Sequence, residues 1–248
     1  MPLMILAGGG WLALRVAKGR GSGQDGFMLF VPLLLLAIGL GVCSWASRRF
    51  EAAWAEGSAL RVPTAHTAAE VARLFLNFIG ESEVEIRQRS GLSSNFYDPA
   101  RRCLFLEAEV AESTHMAGWA LALHEAGHAA AKDPESLAQG KWRRWVIRLN
   151  RLGPTLIAVL ALMALVLLRM PGRLAMMGWL LGCVALMLLH VGTLGLEFAA
   201  NRALEPFLEK HLQRYPRALE KLQQHLSACA TRELADPMRS PRFFISRA

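Results

Sequence analysis

The chain lacks every short cysteine spacing. Its four cysteines, Cys43, Cys103, Cys183 and Cys229, form no C-x-x-C pair, which excludes cysteine metal ligation and a disulfide framework. With Cys43 and Cys183 in apolar segments, all four read as reduced packing residues. The net charge of +8 reads as Lys and Arg decorating the cytoplasmic ends of membrane spans, so no nucleic-acid partner is expected. Residues 2–17 are apolar but carry Gly8-Gly9-Gly10 and Arg15, and no A-x-A cleavage site follows them. They read as an interfacial segment, a poor span or part of an export signal.

What the chain has in excess is apolar sequence, 53% of 248 residues, with a mean hydropathy of +0.27. It is unevenly placed, which points to membrane spans instead of one large soluble core. After a glycine-rich break at Gly19 to Gly26, Phe27 to Ala46 runs without a charge and is closed by Arg48-Arg49, long enough to cross a bilayer. Pro154 to Leu168 and Leu174 to Leu196, separated by Arg169-Met170-Pro171-Gly172-Arg173, read as a transmembrane helical hairpin. Lys141 to Arg151, rich in Lys and Arg with Trp142 and Trp145 among them, reads as the interface anchor before it.

Between the spans lies a polar middle. Thr67-Ala68-Ala69-Glu70 has the form of a capping box, and Val71, Leu74, Phe75 and Phe78 follow at helical spacing up to Gly80. Val84 and Ile86 alternate with charges as a short strand, Tyr97-Asp98-Pro99 predicts a turn, and Cys103 to Leu106 a second strand. A helix follows, capped by Ser113 or Thr114 and ended by Asp133-Pro134, and it carries His124-Glu125-Ala126-Gly127-His128.

On a helix, residues four apart share a face, so His124 and His128 can reach one Zn²⁺ with Glu125 beside the metal-bound water. Gly127, inside the motif, leaves room for another backbone. A third protein ligand is needed. The position six residues after His128 is Pro134, so the ligand comes from elsewhere: Glu135, His190, Glu197, His211 and His225 are the candidates. A hairpin returns the chain to the face it left, which favours Glu197. Glu135 and His211 read as surface, His225 as part of a solvated amphipathic tail, and His190 as a buried hydrogen-bonded residue or a group that supports a metal ligand.

With these residues placed, the sequence resembles the neutral zinc metallopeptidases of bacterial membranes, a family also called zinc peptidase type 2. The shared layout is an N-terminal span, Tyr97-Asp98-Pro99, the H-E-x-G-H-A run from His124 to Ala129, a membrane hairpin, and Glu197-Phe198-Ala199-Ala200. The resemblance implies one zinc per chain held by His124, His128 and Glu197, with Glu125 as general base, in a gluzincin-like arrangement. This chain departs from the family pattern at Ala199 and Asn201; Asn201, one turn after Glu197, is placed to hydrogen-bond a ligand imidazole.

The expected fold class is α+β, mostly α-helical: a polytopic membrane protein with a small zincin-like domain. The expected divisions are an N-terminal segment (1–26), a transmembrane helix (27–47), the catalytic domain (48–151), the hairpin (154–196), and a third-ligand helix with an amphipathic tail (197–248). The expected activity is hydrolysis of peptide bonds in a peptide or protein substrate, at a bacterial inner membrane with the lipid bilayer as partner. In similar folds an extended substrate adds to an edge strand before the metal helix, here Cys103 to Glu107. Lys and Arg are more numerous around the spans on the side of the polar middle than at Arg15, Lys18, Arg20, Arg169 and Arg173, which turns the metal site to the cytoplasm. Two alternatives stand beside this reading. One is a catalytically impaired zinc-binding scaffold or adaptor. The other is an intramembrane protease of the site-2 type, which needs a Leu-Asp-Gly segment that this chain lacks, its aspartates being only Asp25, Asp98, Asp133 and Asp236.

Overall fold

A computed structural model of the chain describes residues 9–89, 95–131 and 134–235. The start of the apolar N-terminal segment, the Asp133 helix stop, the Glu135 side chain and the segment from Asp236 onward lie outside the described residues. The described residues are mostly helical with one three-stranded sheet, and the chain divides into two compact units. One comprises Met1–Leu40 and Leu152–Leu186, the other Gly41–Arg151 and Met187–Ala248.

Helix α1 spans Gly9–Ala59, so the glycine-rich break expected at Gly19 to Gly26 is helical; isolated glycines cost a helix only about 1 kcal/mol each, and none of these residues is proline. Helix α5 spans Pro134–Leu167, continuing through Pro154, where the hairpin was expected to begin, and α6 spans Gly172–Val191. In the first unit these two helices run antiparallel: Gly153 lies against Leu186 and Gly182 against Ile157. The turn between them passes through Arg169 at φ 49°. The outward side chains Leu160, Val166, Leu167 and Leu168 are more than 60% exposed. Such an apolar surface is costly in water and suits hydrocarbon. Among the described residues, two helical stretches, Phe30–Ala59 and Gly172–Leu212, are long and apolar enough to cross a membrane, and three if the bent stretch Ala138–Asn150 with Leu152–Leu167 is one span.

In the second unit, α2 (Ala68–Phe78) starts on the expected capping box: the Thr67 hydroxyl accepts from the Glu70 amide and the Glu70 carboxylate from the Thr67 amide at 2.8 Å. Its buried face, Val71, Ala72, Phe75 and Leu76, packs on α4. Strands β1 (Glu85–Arg89), β2 (Phe96–Asp98) and β3 (Cys103–Glu107) follow in the spatial order β1-β3-β2, with β1 parallel and β2 antiparallel to β3. This corrects the expectation for Cys103 to Glu107: it is the central strand, paired on both sides, with Cys103 to Leu106 buried on both faces. The turn region at Asp98-Pro99 follows β2, where the Asp98 carboxylate accepts from the Ala100 amide at 3.0 Å.

After the short α3 (Ala108–Ala111), α4 (Met116–Gly127) is buried along its whole length between α2, α7 (Leu194–Leu212) and α8 (Pro216–Arg232), as a helix apolar on every face should be. His115 takes the N-cap position without a side-chain cap bond; Ser113, an expected cap, accepts instead from the His115 amide at 3.1 Å. The helix ends at Gly127, and His128 opens a 3₁₀ turn, His128–Ala130. The expected solvated tail is also corrected: Leu222, Leu226 and Cys229 of α8 belong to the core. His225 is buried with them because Gly57 leaves room for its ring; a Cβ there would sit 2.5 Å from His225 Cδ2. His211 is exposed, its ring tilted against that of Phe207 at 4.1 Å between centroids.

Candidate metal centre

Three elements of the second unit converge: α4 brings His124, the 3₁₀ turn His128, and the first turn of α7 Glu197. A carboxylate there also faces the positive end of the α7 dipole. Close approach of α4 to α7 depends on Gly127: a Cβ at this position would lie 2.5 Å from the Ala200 carbonyl oxygen, a backbone atom with nowhere to retreat.

Glu197 Oε2 lies 3.2 Å from His124 Nε2 and 3.2 Å from His128 Nε2. The ligand-type atoms of the three residues all lie within 4.8 Å of one another. His128 Nε2 and Glu197 Oε2 are buried without a hydrogen-bond partner, an expensive arrangement unless a cation satisfies them. A tetrahedral zinc with bonds of about 2.0–2.2 Å separates its ligand atoms by about 3.3–3.6 Å, close to the 3.2 Å from Glu197 Oε2 to each imidazole nitrogen. The donor set and its spacing fit zinc. Of the other sequence candidates, His190, His211 and His225 stand outside this group.

The tautomer of His124 follows from its surroundings. Asn201 Nδ2 donates to the Leu226 carbonyl at 2.8 Å, so Asn201 Oδ1 must face His124 Nδ1, 2.8 Å away. An amide oxygen only accepts, so Nδ1 carries the hydrogen and Nε2 presents its lone pair to the group. Burial disfavours a charged His124, but the Glu197 carboxylate beside Nε2, the charge of Glu125 and the Asn201 oxygen outweigh it and hold the imidazole pKa above its ordinary value. A metal here therefore competes with a proton.

The sequence reading missed a chain of ion pairs around these residues. Arg143 Nε donates to Glu197 Oε1, and Arg143 Nη2 lies 3.7 Å from Glu233 Oε2. Arg232 Nη2 lies 3.4 Å from Glu233 Oε1 and 3.2 Å from Glu125 Oε1. Glu125 and Glu197 are thus each held by an arginine, and both arginines share Glu233. Burial opposes ionisation of Glu233, but Arg143 and then Arg232 overcome it, against the repulsion of Glu197, and hold its carboxyl below the usual range. The Glu233 carbonyl in turn accepts from His190 Nε2, whose Nδ1 faces Asn150 Nδ2 at 3.4 Å, so His190 is a buried, hydrogen-bonded residue as expected. Arg143 is not the interface charge its basic, Trp-rich surroundings suggested. Its neighbours Trp142 and Trp145 stack on each other at 5.2 Å and are exposed. A cavity of about 550 Å³ opens beside His128, lined by Arg143, Arg144, Arg102, Tyr97 and a run of alanines and glycines.

The family model described as "Putative neutral zinc metallopeptidase" matches residues 32–240. The "Putative membrane protease YugP" of Bacillus subtilis (strain 168) is 31% identical over 102 residues, 41% of this chain and 44% of that protein. The match thus spans less than half of that relative's length. No solved structure gives a significant match. With most of its length matched, the chain belongs to the neutral zinc metallopeptidase family.

Proposed function

We propose that the chain is a membrane-bound zinc metalloendopeptidase in which His124, His128 and Glu197 hold one zinc and Glu125 is the general base. The observation that carries the reading is the buried, unpartnered pair His128 Nε2 and Glu197 Oε2 facing His124 Nε2. Zinc bound there would supply Lewis acidity, polarising the scissile carbonyl and acidifying a water.

The protein residues do the rest. Asn201 fixes His124 in the tautomer that offers Nε2. Arg143 holds Glu197 by Oε1 and leaves Oε2 towards the two imidazoles. Glu125, oriented by Arg232, accepts a proton from the attacking water as the C–O bond forms, and passes it to the amine as the C–N bond breaks. Because β3 is paired on both sides, an extended peptide would add to the outer edge of β2, where Tyr97 and the following Pro99 line the cavity. Dialysis of detergent-purified protein against a chelator should abolish cleavage of casein, and one equivalent of zinc should restore it; cleavage indifferent to chelation contradicts the reading.

The protein sits, in this proposal, in a bacterial inner membrane as a multi-pass protein, with 48–151 as the catalytic domain and its metal site towards the cytoplasm. The support is the apolar stretches at Phe30–Ala59 and Gly172–Leu212 and the excess of Lys and Arg flanking the polar middle. A cysteine placed at Ser58 should resist an impermeant thiol reagent in whole cells and react in inverted vesicles; labelling in whole cells reverses the orientation.

A further inference from the structure

The cavity beside His128 is lined by small residues and by arginines. Gly127, Ala130, Ala199, Ala200 and Ala203 contribute little side chain, which lets an extended peptide backbone come close. Three arginines line the cavity, and among the described residues Glu81 is the one acidic residue lining it. Two of the three arginine charges are already matched. Arg102 donates to Glu81 Oε2 and Glu83 Oε2, each at 2.7 Å. Arg143 is engaged by Glu197 and Glu233. Arg144, half-buried on the same helix, has no acidic partner among the described residues. The cleft therefore keeps one positive charge for whatever occupies it.

Resting on the metallopeptidase reading, we propose that Arg144 is a specificity-determining residue that selects an acidic side chain, Asp or Glu, close to the scissile bond of the substrate peptide. A planar guanidinium on a helix offers a carboxylate paired donors in fixed geometry. A lysine or arginine of a substrate entering the same place meets an unpaired like charge in a partly desolvated cleft, so the site discriminates by repulsion as well as attraction. The expected preference for an acidic over a basic residue at that subsite is about tenfold to a hundredfold in kcat/KM, the range set by one charge-assisted hydrogen bond gained and one like-charge contact avoided.

The test is a set of acetylated, amidated peptides in which Asp, Gln or Lys is walked through the positions around one bond, given to the zinc-loaded full chain. Wild type should favour Asp at one subsite, and Arg144→Glu should invert the Asp-to-Lys ratio there. Arg144→Gln, which removes the charge at nearly constant shape, should bring the ratio near one. Each ratio is internal to its variant, so a general loss of rate does not disguise it. Equal ratios in wild type and Arg144→Glu overturn the inference, as does a preference met by a free C-terminal carboxylate on peptides without acidic side chains. Cleavage with no charge preference overturns this inference alone. A zinc-loaded wild type that cleaves no peptide in any arm overturns it together with the metallopeptidase reading.

Discussion

Glu125→Gln is expected to leave zinc bound and to lower peptide hydrolysis by about 10²–10⁴-fold, the usual contribution of a positioned general base. The side chain keeps its length and an oxygen for Arg232, 3.2 Å from Glu125 in the parent, so the fold and the neighbouring imidazoles have little reason to move. What is lost is the ability to accept a proton. Because Glu125 stands outside the group His124, His128 and Glu197, its amide should not reduce metal content. Zinc-loaded Glu125→Gln with wild-type turnover would remove Glu125 from this role, and loss of zinc would mean that it contributes to binding instead.

The second large effect is expected at Glu197. Its removal takes away the sole carboxylate of the three-residue group and leaves the imidazoles of His124 and His128 alone. Zinc affinity should fall by more than the roughly 10–100-fold that loss of a ligand's hydrogen-bond partner costs. Glu197→Ala also strands Arg143, whose nearest remaining carboxylate is Glu233 at 3.7 Å. Breaking a buried pair in this way costs about 3–5 kcal/mol. Glu197→Gln separates the two consequences: the amide oxygen still accepts from Arg143, the shape is kept, and the anionic ligand is gone. Both variants should lose zinc, with the larger drop in Tm in Glu197→Ala.

The residues that announce themselves in the sequence are those governed by local geometry. His124 and His128 share a helix face by their spacing, Thr67 and Glu70 cap α2 as a reciprocal pair, and Gly127 is open because the Ala200 carbonyl needs the space. Glu197 could be favoured because a hairpin must return. Arg143, Arg232 and Glu233 carry no such mark. Arg143 lies 54 residues from Glu197 and Arg232 lies 107 from Glu125, and no periodicity links such pairs. The basic, Trp-rich run around Arg143 is also what a membrane-interface anchor looks like. The order of the strands was hidden for a similar reason. The buried run Cys103 to Leu106 reads as a strand, but the β1-β3-β2 order depends on pairings made across the sheet. Placing α8 in the core likewise depends on α4 needing cover on every face.

The central claim is a single zinc held by two histidines and one glutamate. Its most direct test is elemental analysis of detergent-purified protein, prepared without chelators, for wild type, Glu197→Ala and Glu197→Gln side by side. About one zinc per chain in wild type and close to none in both variants is the expected result. A wild type without zinc, or variants that retain it, would contradict the site described here.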